Sequence, residues 1–134
     1  MPLWNESNYF ALATKLPAET QTALRKLYEL RAAAGYRVEF GDGPKSPRFK
    51  VILEKAGKAS ILMPDANDGT LFITFDFHKG NSAVVEPLGA FVRDTLQIEL
   101  PSDWRNTKPY IKPSDWVPHV DALTSLLRAL TEEK

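Results

Sequence analysis

Between residues 70 and 78, in the segment TLFITFDFH, the chain alternates between two kinds of side chain. In an extended strand Leu71, Ile73, Phe75 and Phe77 fall on one side, and Phe72, Thr74, Asp76 and His78 on the other. Only the second side carries polar groups. The pattern predicts a strand near the middle of a sheet, with one face buried and the other at least partly wet. Shorter runs of the same kind precede it. YRVEF (36–40) alternates Tyr36, Val38 and Phe40 with Arg37 and Glu39, FKVILEK (49–55) reads as a second strand, and ASILM (59–63) as a third. The short links AGK and PDANDG leave no room for the crossover that a parallel pair needs, so an antiparallel meander of about four strands is expected.

A different period flanks these strands. Residues 17–34 open on Pro17, which suits a first helical position, and carry the stripe Ala23, Leu27, Leu30 and Ala34, widened by Leu24. Arg25 and Lys26 fall off the stripe, and Gly35 supplies a left-handed stop. A short helix is expected before it, over residues 6–15, capped by Asn5 or Ser7 and contributing Phe10, Ala13 and Leu16, with Trp4 pinning the start of the chain. After the strands, Val84 and Val85 read as a further edge strand. Pro87 then opens a helix that shares Leu88, Phe91, Val92 and Thr95 on one face and is weakened by Gly89. Pro-Ser-Asp-Trp occurs at 101–104 and again at 113–116, where Ser102 and Ser114 are placed to cap helical turns. A last helix over residues 115–132 has the stripe Val120, Leu123, Leu127 and Leu130, with Pro118 in its first turn. The expected class is α+β: a meander covered by an N-terminal helix pair and a C-terminal helix. A length of 134 residues without an internal linker fits one domain spanning 1–134.

Composition narrows the chemistry. Cysteine is absent, which removes disulfides, thiolate metal sites and a cysteine nucleophile, and suits a reducing cytosol. The opening MPLWNESNYF has no charged stretch followed by an apolar run, so no signal peptide is expected. No apolar segment approaches the roughly 20 residues that span a bilayer. Basic and acidic residues balance at 17 each, but unevenly: residues 25–58 hold nine basic against four acidic side chains. Such a local surplus can mark a surface for an anionic partner, although it is more often a solvated face.

Three constellations carry candidate chemistry. The first is the loop GDGPKSPR with its flanking strands, where Lys45, Arg48 and Lys50, with Arg37 nearby, can neutralise backbone phosphates. Tyr36 or Phe49 would stack on a base if either escaped burial. Its glycines do not make a phosphate loop, because the GK[ST] ending and the following helix are missing. The second is Asp76 with His78, two residues apart on one strand face. They can form an orienting pair or part of a metal site if Glu54, Asp65 or Asp68 supplies a third group. Glu54 and Lys55 are adjacent, without the one-residue gap of a common metal-dependent nuclease pattern. The third is Trp104, Tyr110 and Trp116 among prolines, a candidate protein-binding patch or else closure of the core.

Together these readings point to a small cytosolic, non-catalytic binding or accessory module acting through a partner. It is expected to meet a nucleic acid or an acidic protein surface with the basic segment 37–50. A metal-assisted hydrolase or nuclease-like enzyme built on Asp76 and His78 is one alternative. An interaction subunit of a larger assembly, using Trp104, Tyr110 and Trp116, is another. No cofactor is expected, and the oligomeric state is open.

Overall fold

The computed structural model describes residues 4–41 and 47–131. Ten elements follow in the order α1 (Glu6–Ala13), α2 (Ala18–Tyr28), β1 (Tyr36–Phe40), β2 (Phe49–Leu53), β3 (Leu62–Pro64), β4 (Leu71–Ile73), α3 (Ser82–Ala90), β5 (Tyr110–Ile111), α4 (Pro113–Trp116) and α5 (Val120–Ala129). The strands form one antiparallel sheet in the order β1-β2-β3-β4-β5, an α+β meander as the alternation and short links require. The fifth strand is an addition to the four expected. It is two residues long and lies between Pro109 and Pro113. Each proline holds the residue before it in extended backbone, which favours pairing at Tyr110 and Ile111.

One face of the sheet belongs to the core. Tyr36, Phe49, Val51, Leu53, Leu62, Leu71, Ile73 and Ile111 point to it and pack against Leu24 and Leu27 of α2 and Leu123 and Leu127 of α5. Asn5 caps α1 as expected, in a reciprocal arrangement in which its side chain accepts from the Asn8 N–H at 2.9 Å and its own N–H donates to Asn8 Oδ1 at 2.6 Å. Tyr9 of α1 reaches the sheet through its hydroxyl, which donates to the Pro64 carbonyl at 3.0 Å. Tyr36 ties the other end of the core by donating to the Leu127 carbonyl of α5. Burial raises both phenol pKa values, and the Asp65 carboxylate adds to the effect at Tyr9.

Several expected boundaries move, each for a local reason. α2 stops at Tyr28, and a 3-10 turn continues to Ala32, so Ala34 is exposed. Gly35 does take the left-handed conformation, with φ of 87°, at the entry to β1. Val84 and Val85 are buried in α3 and not in a strand. Pro87 lies inside that helix and not at its start. A single π turn, Phe91–Thr95, extends α3, and within it Phe91 and Val92 are buried while Thr95 is exposed. The C-terminal helix is broken into α4, a 3-10 turn at Val117–His119 and α5, because Pro118 lacks the N–H an unbroken helix would use. Neither Ser102 nor Ser114 caps a turn. Asp103 precedes the turn Trp104–Asn106, and Lys112 precedes α4, whose first residue is Pro113.

The repeated Pro-Ser-Asp-Trp segments bury both tryptophans. Trp104 meets Phe75 edge-on at 4.7 Å and lies over Gly89 of α3, while Arg105 stacks on its ring at 4.3 Å and pairs with Glu86. A Cβ on Gly89 would stand 2.3 Å from Trp104 Cη2. Gly89 is therefore more than a weak helix former; it makes room for the indole. Helix propensity alone would make Gly89→Ala stabilising by about 1 kcal/mol. The clash reverses the sign, and we expect a loss of about 1–3 kcal/mol, measured as a lower urea midpoint.

Candidate nucleic-acid interface

The segment 70–78 does not remain a strand. Thr74 leaves the extended region, with φ of −94° and ψ of 64°, and its hydroxyl donates to the Ser60 carbonyl. Phe75–His78 is a 3-10 turn. Three residues per turn bring Phe75 and His78 to the same side, where both are buried, and send Phe77 outward. The expected sides of Phe77 and His78 are thus exchanged. The His78 ring nitrogen Nε2 lies 3.0 Å from the Ser60 carbonyl, on the same oxygen that Thr74 uses, while Asp76 turns out to Lys108 at 2.8 Å. Asp76 and His78 therefore diverge. Glu54 is on the surface within 4.0 Å of Arg37, and Asp68 accepts from the Thr70 N–H in the turn before β4. Among the described residues no group of three histidine, aspartate or glutamate side chains is placed to hold a metal ion.

The aromatic trio divides as well. Trp104 and Trp116 are interior residues, 5% and 0% exposed, whereas Tyr110 is 68% exposed. The indole Nε1–H of Trp116 donates to the Gly69 carbonyl at 2.8 Å. The two tryptophans are accordingly parts of the core, and Tyr110 is the member of the trio that a partner can reach.

The sheet face opposite the core gathers what remains. In β1, Arg37 and Glu39 point to it, and in β2 Lys50 does, with Arg48 just before the strand. The register sets these side chains beside aromatic ones. Glu39 is opposite Lys50, Met63 is opposite Phe72, and Phe72 is opposite Tyr110. The pairings Val51 with Leu62 and Arg48 with Asp65 fix β2 against β3, so Lys50 stands across from Met63. One row therefore crosses all five strands: Glu39, Lys50, Met63, Phe72, Tyr110. The Arg48 guanidinium covers the Phe72 ring at 4.1 Å, and the Phe72 and Tyr110 rings are 6.3 Å apart.

Arg48 is held in place. Its Nε donates to Asp65 Oδ2 at 3.1 Å, and the other oxygen, Oδ1, accepts from the Asn67 N–H at 2.7 Å. Arg37 pairs with Glu39 at 3.0 Å. Lys50 and Lys112, both exposed, make no ion pair among the described residues. Of the predicted basic set, Arg37, Arg48 and Lys50 share this face, and Lys45 lies outside the described residues. Tyr36 and Phe49 are buried and offer no base a surface. Met63 and Phe72 were not among the sequence candidates. Alternation already put Phe72 on the polar side of its strand, and that was the signal available; the neighbourhood of Arg48 and Tyr110 depends on register. Among the described residues no helix is long and apolar enough to cross a membrane. Compared with family models, curated proteins and solved structures, the chain matches none of them.

Proposed function

We propose that this protein is a non-catalytic module of a reducing compartment such as the cytosol that binds single-stranded nucleic acid on the open face of its sheet. The observation that carries the reading is the row of Lys50, Met63, Phe72 and Tyr110, with Arg48 stacked on Phe72. A single strand offers unstacked bases and a charged backbone together. An exposed ring accepts a base face whatever its sequence, and Lys50 in the row and the exposed Lys112, two residues after Tyr110, can accompany the phosphates. Tyr110 is the accessible ring, Phe72 with its Arg48 cover is the second platform, and Lys50, Lys112 and Arg37 are the phosphate contacts. A duplex hides its base faces and would meet only the charges, without the stacking that the rings offer a single strand.

The test is fluorescence anisotropy with a labelled single strand and the matching duplex at several salt concentrations. With three or four phosphates engaged, log K for the single strand should fall linearly against log salt with a slope of about −2 to −3. The duplex should bind more weakly at every salt concentration. Absence of single-strand binding at low salt, or a preference for the duplex, would remove the reading.

A further inference from the structure

A second surface follows from the backbone of β1 and does not rest on the nucleic-acid reading. β1 is an edge strand. The Gly41 N–H donates to the Arg48 carbonyl at 3.0 Å, and the Glu54 N–H donates to the Gly35 carbonyl at 2.9 Å, one at each end of the β1–β2 ladder. Residues of odd number in this stretch therefore turn their backbone groups toward β2. Val38 and Phe40 turn theirs away, to an edge with which no described strand pairs; just past its end the Gly41 carbonyl accepts from the Trp4 N–H at 3.3 Å. The Tyr36 N–H is already used, by the Ala33 carbonyl at 3.2 Å, but the Tyr36 carbonyl also points outward.

We infer that β1 is the dimer strand of this protein, pairing antiparallel with β1 of a second copy about a two-fold axis at Val38. In that register the two Val38 residues exchange two hydrogen bonds. Each Phe40 N–H donates to the Tyr36 carbonyl of the other copy, which makes four bonds in all. Arg37 of each copy comes opposite Glu39 of the other, on the face where each chain already holds the two at 3.0 Å. The four charges then alternate in sign. Charges on an edge strand ordinarily discourage pairing, and here they do so in the two registers on either side of this one. Centring the axis on Arg37 sets two guanidiniums opposite each other, and centring it on Glu39 sets two carboxylates opposite each other. A one-residue slip would turn the apolar side of β1 to the wrong face. A second copy of this chain is thus the occupant whose charges match the edge.

Sedimentation equilibrium from micromolar to near-millimolar protein tests the assignment, with circular dichroism to verify that each variant is folded. The wild-type chain should show a reversible monomer–dimer equilibrium. Arg37→Glu alone and Glu39→Arg alone replace two attractive cross-strand pairs by two repulsive ones, and should each weaken association by roughly tenfold or more. The double exchange Arg37→Glu with Glu39→Arg restores the alternation and should restore the dimer. An equimolar mixture of the two single variants should form a heterodimer, because one copy then supplies only carboxylates and the other only guanidiniums. A monomer throughout the wild-type range, single variants that associate like the wild type, or a mixture that stays monomeric would each overturn the inference.

Discussion

Trp116→Ala is expected to lower the unfolding free energy by about 4–5 kcal/mol, near the top of the range for a single substitution. Two effects combine. Trp116 is 0% exposed, so its removal deletes one of the two largest side chains of the core and leaves a void that the surrounding elements fill only in part. Its indole N–H also satisfies the Gly69 carbonyl at 2.8 Å, and Gly69 is itself buried. Without that donor a carbonyl in the turn leading into β4 loses its partner, which costs about 1–3 kcal/mol. Gly69 sits in the left-handed region, with φ of 82°, and a Cβ there would press on Thr20 Cγ2 at 2.8 Å, so the turn has little freedom to move toward another donor. Trp116→Phe separates the two effects: it keeps most of the volume and should lose only about 1–3 kcal/mol. Urea unfolding followed by far-ultraviolet circular dichroism measures both. A loss under about 2 kcal/mol for the alanine variant would mean that the site collapses around the void.

How far the sequence could be read follows from the same elements. The meander was legible because its strands alternate cleanly and their links are short. The faces of α2 and α5 were legible because Ala23, Leu27, Leu123 and Leu127 recur at helical spacing and are buried as the stripes require. One failure arises where a three-residue period passes for a two-residue one. In TLFITFDFH the apolar positions satisfy a strand throughout, yet the hydrogen bond from Thr74 to the Ser60 carbonyl ends the strand and starts a 3-10 turn. That bond joins residues 14 apart in sequence, so no local pattern announces it. β5 was missed because two residues are too few to show alternation, although the flanking prolines were a signal for extended backbone. Val84 and Val85 have the branched side chains of a strand, but their burial against Ile61, Ile73 and His78 is that of a helix. The candidate interface was half legible. Arg37, Arg48, Lys50 and Tyr110 were visible as separate features, whereas their common face is a consequence of register across four strand pairs, which composition does not encode.

Tyr110→Ala should weaken single-strand binding by about 5- to 150-fold, the equivalent of the 1–3 kcal/mol that one stacked base contributes. Because Tyr110 is 68% exposed, the fold loses little with it, and stability should stay within about 0.5 kcal/mol of the wild type. That contrast makes the variant informative: binding falls while the urea midpoint stays put. Phe72→Ala is a less clean companion, since the Phe72 ring also supports Arg48, which is tied to the buried Asp65. Lys50→Ala addresses the other half of the interface. It removes a charge with no ion-pair partner among the described residues, so it should flatten the log–log salt slope by about 0.7 for a single strand without abolishing binding. The two variants separate stacking from charge. If Tyr110→Ala binds like the wild type and only Lys50→Ala weakens the complex, the contact is electrostatic and the aromatic row is a packing feature of the sheet. If Tyr110→Ala loses affinity equally at low and high salt while Lys50→Ala changes the slope, bases lie on the rings and phosphates along the lysines, and the register that brings them together is the physical basis of binding.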